Sequence, residues 1–350
     1  MKNDKNYVAA LDGIRAVAVL LIIPLHTRNL TSWSPFLLAG SHAFDIFMVL
    51  SGYLITKSLL SEYYRTGDIL LWKFYVRREL RLFPPILALL FGTIVCVWMF
   101  APNGLLQVTR SSLWCMFYAT NWGIVAGDRM EYFGHLWSLS LQFQFYLFWP
   151  AVLLTVLRQK GVRGVFGMAL LLALAAQVLR LILVGKQGYG RIYFGTDTHL
   201  DSLAYGCALA AWLRWRGGNM FSSQRFANLS LVGAACITLY FIKPMDEKGY
   251  FIYGASAVMW LTCVLLADVL FNHYSKLRPL LSWKPLVSVG RISSSVMLWH
   301  MLILYIFNNT DASRLAIQMA GTFLSVPLGL LMFVLVEQPC QNVKKRYDKK

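Results

Sequence analysis

The sequence predicts an all-α, polytopic membrane protein, and three observations carry that prediction. Of its 350 residues, 57% are apolar and 15% are aromatic. Only 14% are charged, whereas a soluble domain has about 25%. Apolar runs of about 17–22 residues recur from end to end, and each can cross the roughly 30 Å hydrocarbon core as a helix. No stretch remains for a soluble domain, so we expect residues 1–350 to form one membrane-embedded domain.

Hydropathy marks eleven candidate runs. The fourth is the weakest, because Thr120 and Asn121 interrupt it. We therefore expect about ten transmembrane helices plus one re-entrant or interfacial segment. The runs are 8–26, 42–60, 84–101, 111–126, 136–157, 164–184, 200–213, 226–242, 250–271, 287–308 and 314–336.

The basic residues report topology. The formal net charge is +17, but the Lys and Arg residues lie in short loops between apolar runs, which argues against a nucleic-acid partner. With ten crossings and an inner N-terminus, 23 of them fall inside and 8 outside. An eleventh crossing would place the last four inner groups outside, against the positive-inside rule. Both termini are therefore predicted to be cytoplasmic.

The cysteines carry no metal or disulfide signal, since none forms a CxxC pair and five lie in apolar runs. We interpret them as packing residues and expect no metal cofactor. The first apolar run contains Asp12 and Arg15 and lacks a small-residue cleavage site, so we expect it to be retained. The six cysteines are Cys96, Cys115, Cys207, Cys236, Cys263 and Cys340.

Polar residues on the first two helices can be compared by depth. In "LDGIRAVAVLLIIPLH", Arg15 lies near the inner end and His26 roughly 16 Å further along. The next helix runs back inward, so Asp45 starts at the level of His26 and Ser51 lies deeper. A charge in the bilayer costs about 2.5–3.5 kcal/mol, so Asp45 should be paired.

We expect Asp45 to accept a hydrogen bond from one nitrogen of His26 and leave the other nitrogen as a general base. The alternatives are a snorkelling Arg15 and an interfacial His26.

An arginine cluster occurs in "WKFYVRRELRLFPP", just before Pro84-Pro85, which we predict to open the next helix. Arg77 and Arg81 are four residues apart and would share a helix face. Either Arg77, Arg78 and Arg81 anchor the inner membrane surface, or they form a phosphate site, because guanidinium groups bind phosphate in a bidentate manner.

Further polar residues follow in the later apolar runs. They can form interhelical hydrogen bonds or contact substrate. Gln142 lies near the depth of His26, and His300 lies near mid-membrane. The remaining candidates are Ser138, Tyr146, His199 and Asp201.

These stretches together resemble the integral-membrane acyltransferase family 3. The similar segments occur in family order over nearly the whole chain and include "RRELRLFPP", "HLWSLSLQFQFYLFWP", "HLDSLAYGCALA" and "VGRISSSVMLWH". The resemblance implies a bacterial inner-membrane enzyme that moves an acyl group, chiefly acetyl, from cytoplasmic acyl-CoA to a hydroxyl of a cell-surface glycan or lipid-linked saccharide. It implies that His26 is the catalytic base and that Arg15, Arg77, Arg78 and Arg81 bind acetyl-CoA or another acyl-CoA.

Two positions depart from the family pattern. Gln142 replaces the usual glutamate, and an amide orients a partner but does not shuttle protons. His199 replaces the arginine that usually precedes the aspartate at Asp201. Two other functions remain open on the residues alone: a proton-coupled secondary transporter and a non-catalytic member of the same scaffold. Acyl-CoA dependence separates them from the enzyme.

Overall fold

The protein is helical throughout the part of the chain that the structure describes. The structure is a computed structural model that describes residues 7–26, 40–242, 246–308 and 313–347. Within those ranges it contains no β-strand beyond a single isolated bridge. The predicted all-α class is therefore confirmed.

The helices are numbered in chain order, with short turns between several of them. The α-helices are α1 (Ala9–Leu25), α2 (Gly40–Thr66), α3 (Leu71–Phe100), α4 (Leu105–Met116), α5 (Thr120–Val125), α6 (Trp137–Leu183), α7 (Tyr189–Phe194), α8 (Thr196–His199), α9 (Asp201–Arg216), α10 (Gln224–Ile242), α11 (Glu247–Gly249), α12 (Ala255–Phe271), α13 (Leu277–Leu281), α14 (Lys284–Arg291), α15 (Ser293–Asn308), α16 (Arg314–Met332) and α17 (Gln338–Tyr347). The 3-10 turns are Pro102–Gly104, Gly134–Leu136 and Asn219–Phe221, and the π turns are Tyr250–Gly254 and Phe333–Glu337.

Several helices are long and apolar enough to cross a membrane. Five of the described helices meet that requirement, or six if the pair α14 and α15, bent by 72°, counts as one span. This supports a multi-pass membrane protein, while the ten crossings and the cytoplasmic termini stay predictions.

The weak fourth run is broken. α4 has 12 residues and α5 has 6, so neither reaches across a roughly 30 Å core at about 1.5 Å per residue. Tyr118, between them, has a φ of 49°. By contrast, α6 has 47 residues and divides at Gly161, where φ is 63°. A left-handed φ favours glycine, so this residue separates two helical halves that correspond to the fifth and sixth apolar runs.

The predicted start of the third helix is wrong. α3 begins at Leu71, and Pro84 and Pro85 lie inside it. Prolines are tolerated within membrane helices where the freed carbonyl groups find other partners. The arginine cluster consequently lies on a helix and not in a loop.

Glycines allow the central helices to pack backbone to backbone. A Cβ atom on Gly52 of α2 would lie 2.0 Å from the carbonyl oxygen of Leu203 in α9. A Cβ atom on Gly206 of α9 would lie 1.9 Å from that of Val49. These close approaches fix the position of α2, which carries Asp45 and Ser51 towards the centre of the protein.

Candidate active site

A polar cavity of about 160 Å³, here called the arginine cavity, lies among α1, α2, α3, α6 and the bend between α14 and α15. Seven residues selected from the sequence line it: Arg15, Ser51, Arg78, Arg81, Ser138, Gln142 and Tyr146. Arg291 adds a fourth guanidinium group, and Glu337 is the only carboxylate among the described lining residues. The wall is therefore strongly cationic.

The arginines of this wall are held by different partners. Arg15 Nη1 lies 3.1 Å from Asp12 Oδ1 on the same helix. The guanidinium group of Arg78 lies 4.8 Å from the centre of the Tyr146 ring. Cation–π contact of this kind positions a guanidinium group without neutralising it, so Arg78 keeps its charge available for a ligand.

Arg77 does not line this cavity together with Arg81, contrary to the prediction from their spacing. Its Nη2 atom instead lies 3.1 Å from Glu62 Oε2 of α2. Arg78 and Arg81, three residues apart, both line the cavity. Residues at i and i+3 share a helix face, as do residues at i and i+4. Because α2 lies beside Arg77, it is Arg78 and Arg81 that line the cavity together.

The polar side chains opposite the arginines are themselves held in place. Tyr146 donates to Gln142 Oε1 at 3.3 Å, which leaves the amide NH₂ of Gln142 as a donor. Ser51 donates to the carbonyl oxygen of Phe47 at 2.8 Å. Glu337 accepts from Ser294 at 3.0 Å and also from Ser295. The cavity thus presents oriented donors and one satisfied carboxylate.

Three histidines form a cluster at one end of the arginine cavity. The ring centroids of His26 and His300 lie 5.0 Å apart, and those of His300 and His135 lie 5.2 Å apart. The buried atoms His26 Nε2, His135 Nδ1 and His300 Nε2 have no hydrogen-bond partner within the described ranges. Within the same ranges, no three His, Cys, Asp or Glu side chains are arranged to hold one metal ion.

Main-chain carbonyl groups fix the tautomers of two of these rings. His135 Nε2 lies 3.1 Å from the carbonyl oxygen of Leu298, and His300 Nδ1 lies 2.9 Å from that of Met297. A carbonyl oxygen only accepts, so each of these nitrogens carries the proton. The opposite nitrogen of each neutral ring therefore presents a lone pair, and both histidines can accept a proton.

On its other side the histidine cluster borders a second cavity, here called the aromatic cleft. The cleft has a volume of about 380 Å³ and is lined by His26 together with Phe44, Trp137, Tyr193 and Phe194 among others. Gly134 also lines the cleft, whereas the next residue, His135, lines the arginine cavity. The three histidines consequently lie between the two cavities.

Asp45 is not the partner of His26, and that predicted pairing is wrong. Both carboxylate oxygens of Asp45 are already bonded. Oδ1 lies 2.8 Å from His199 Nε2, and Oδ2 accepts from Tyr250 at 2.6 Å. His199 Nδ1 lies 2.7 Å from the carbonyl oxygen of Tyr193 and must donate. The contact between His199 and Asp45 therefore holds one shared proton, and the pair is neutral overall.

Asp201 belongs to a second buried pair. Arg180 Nη2 lies 2.7 Å from Asp201 Oδ2, and the two side chains are 2% and 0% exposed. Arg180 Nη1 also donates to the carbonyl oxygen of Thr198 at 3.1 Å. An arginine from α6 thus pairs with Asp201, two residues after His199, and the two opposite charges are buried together.

Sequence reasoning missed His135, Arg291 and Glu337 as site residues. His135 and Arg291 lie inside segments that were singled out for their order along the chain, and Glu337 directly follows the last apolar run, but none stood out by charge or spacing. His135 precedes Trp137 in "HLWSLS", and its contact with α15 spans 163 residues of sequence. Only tertiary structure places such residues together.

The chain is similar to known proteins over nearly its whole length. A family model described as an acyltransferase domain matches residues 8–337. The O-acetyltransferase OatA of Staphylococcus aureus is 33% identical over 317 residues, which cover 87% of this chain and 51% of that protein. The peptidoglycan O-acetyltransferase OatA of Listeria monocytogenes is 30% identical, with 97% of this chain and 56% of that protein covered. The chain thus spans about half the length of these relatives. No solved structure matches it.

Proposed function

Because the chain belongs to the acyltransferase family whose domain model matches residues 8–337, we propose that it is a membrane O-acyltransferase. It moves an acyl group, an acetyl group in the simplest case, from acyl-CoA to a hydroxyl of a glycan or lipid-linked saccharide. One observation carries the proposal: the histidine cluster lies between a cationic cavity and a second cleft, so that two substrates can meet there.

The arginine cavity is the proposed donor site. Coenzyme A carries several phosphate groups, and guanidinium groups bind phosphate through charge-assisted, bidentate hydrogen bonds. Arg15, Arg78, Arg81 and Arg291 all line this cavity. The phosphates would bind among them, and the pantetheine arm would extend towards His135, which places the thioester beside the cluster.

The aromatic cleft is the proposed acceptor site, with the reacting hydroxyl next to His26. The hydroxyl oxygen forms a bond to the acyl carbon, and the bond from that carbon to the CoA sulfur breaks. His26 removes the hydroxyl proton as the general base. The leaving thiolate takes up one proton. The neutral rings of His300 and His135 each present a lone pair, so the proton taken up by His26 can pass through them to the donor side.

Gln142 is the proposed orienting donor. Its oxygen is occupied by Tyr146, so its NH₂ group can stabilise the oxyanion that develops on the acyl group. An amide neither gains nor loses a proton at ordinary pH. The proton transfers therefore rest on the histidines, which accounts for an amide at a position where the family usually has glutamate.

The proposed setting is the bacterial cytoplasmic membrane. Acyl-CoA would enter from the cytoplasm, where the positive-inside rule places the arginine cluster of α3. The acceptor would be an external saccharide. The relative from Listeria monocytogenes is named a peptidoglycan O-acetyltransferase, and a peptidoglycan fragment is accordingly the first acceptor to test.

The test uses the protein reconstituted in lipid nanodiscs with acetyl-radiolabelled acetyl-CoA and a peptidoglycan saccharide fragment. We expect label to appear on the saccharide as a base-labile ester, with one free CoA thiol per ester. When the protein is reconstituted in liposomes instead, unmodified saccharide should not accumulate inside them. Transport of unaltered saccharide without thiol release, by folded protein, would support a transporter and contradict the enzyme.

A further inference from the structure

A third cavity shares no lining residue with the two cavities of the proposed active site. It has a volume of about 320 Å³ and runs between α9 and α12, with the start of the second half of α6 beside it. Its lining is almost wholly apolar and aromatic, and includes Phe166, Leu209, Trp212 and Trp260. Nothing in the proposed acyl transfer uses this cavity.

Two arginines share one tryptophan ring at the edge of this cavity. The guanidinium groups of Arg163 and Arg216 lie 4.9 Å and 4.3 Å from the centre of the Trp215 ring. Trp215 in turn lies 5.5 Å from Trp212 and 6.1 Å from Phe166, both of which line the cavity. The cationic groups are therefore close to residues that line the cavity.

These charges lack an anionic partner in the described part of the chain. None of the ion pairs found there includes Arg163 or Arg216. Both side chains are exposed. Two guanidinium groups that lie close to one ring repel each other, and an anion bound to both would relieve that repulsion.

We propose that this site binds an anionic phospholipid. One acyl chain occupies the apolar cavity, and the phosphate binds to Arg163 and Arg216. Tyr205 also lines the cavity and is separated from Arg216 by roughly 16 Å of α9, so an acyl chain whose phosphate binds at Arg216 can extend along the cavity. Basic pockets between membrane helices on the cytoplasmic side are typical of such lipid sites, and both arginines belong to the segments predicted to face inward. This inference does not depend on the proposed catalytic activity.

Native mass spectrometry of the full chain in detergent tests this proposal. The probes are dioleoylphosphatidylglycerol and dioleoylphosphatidylcholine, added at equal low concentration. We expect the wild type to retain one phosphatidylglycerol molecule in preference to phosphatidylcholine. Removal of both charges in Arg163→Gln/Arg216→Gln should weaken phosphatidylglycerol binding about 30-fold, since each charge near the surface contributes about 1 kcal/mol.

A matched control removes two exposed charges elsewhere on the predicted inner side, in Lys276→Gln/Arg278→Gln. It should leave the bound phosphatidylglycerol unchanged. Circular dichroism and thermal melting establish that each variant is folded. Equal retention of both lipids by the wild type, or an equal loss of phosphatidylglycerol in the two double variants, would overturn the proposal. Glycerophosphoglycerol, the deacylated head group, should not compete, and full competition by it would reject the role of the acyl chain.

Discussion

The rings of His26 and His300 lie 5.0 Å apart, and His300 also contacts His135, which lines the arginine cavity. The carbonyl oxygen of Met297 holds the proton of His300 on Nδ1 and leaves Nε2 as a lone pair. This relationship joins the proposed acceptor side to the proposed donor side. We therefore propose that His300 positions His26 and accepts a proton from it.

The histidine cluster gives the first prediction. His300→Gln keeps a side chain of similar polarity but removes the proton acceptor. We expect the turnover number for acetyl transfer to fall about 10²-fold, the lower end of the general acid–base contribution, with little change in the dissociation constant of acetyl-CoA. The plot of turnover against pH should also change shape. A merely structural His300 would instead lower the amount of folded protein and leave that shape intact.

The arginine cavity gives the second prediction. Arg78→Gln and Arg81→Gln should each weaken acetyl-CoA binding, and the loss should shrink as salt rises, because the lost contacts are ionic. Arg77→Gln is the matched control, since Arg77 pairs with Glu62. Isothermal titration at two salt concentrations measures the difference. Comparable losses in all three variants would return the whole cluster to membrane anchoring.

The buried pair between Asp45 and His199 gives the third prediction. In Asp45→Asn the amide oxygen can still accept from Tyr250, and the NH₂ group can donate to a neutral His199. We therefore expect near-normal folding and transfer. Asp45→Leu removes the carboxylate that both His199 and Tyr250 contact and should cost about 3–5 kcal/mol of stability. Thermal melting in detergent distinguishes them, and equal melting temperatures for the two variants would contradict the pairing.

The contact between α2 and α9 gives the fourth prediction. Gly206→Ala places a Cβ atom 1.9 Å from the carbonyl oxygen of Val49, so the helices must separate. We expect a loss of about 1–3 kcal/mol, typical of overpacking. Gly167→Ala is the control, since nothing lies within 4 Å of the added atom. The melting temperature should fall in the first variant and hold or rise in the second; the reverse order would refute close packing here.

The topology gives the fifth prediction. Ten crossings place both termini in the cytoplasm, because 23 of the Lys and Arg residues then lie inside and 8 outside. Reporter fusions after Lys350 and near Gln159 should both give cytoplasmic signals. A C-terminal fusion that reports from the outside would require an odd number of crossings.

The sequence predicts the depth of a residue in the membrane better than the side of the helix on which it faces. Helix rise is constant at about 1.5 Å per residue, so Arg15 and His26 could be placed at opposite ends of α1. The side on which a residue faces depends on neighbouring helices. His26 and Asp45 were expected to meet because of equal depth, yet Gly52 and Gly206 set α2 so closely against α9 that Asp45 contacts His199. The same limit explains why Arg77, expected to share a helix face with Arg81, contacts Glu62, whereas Arg78 lines the arginine cavity.

A single-turnover experiment tests the proposed role of His26 as the general base. Wild type and His26→Ala, matched for folding and saturated with acetyl-radiolabelled acetyl-CoA, are mixed with acceptor, and ester formation is followed with time. We predict normal acetyl-CoA binding and an ester-forming rate lower by about 10²–10⁴-fold in the variant, the usual contribution of a general base. A His26→Ala protein that forms ester at the wild-type rate would show that His26 is not the general base.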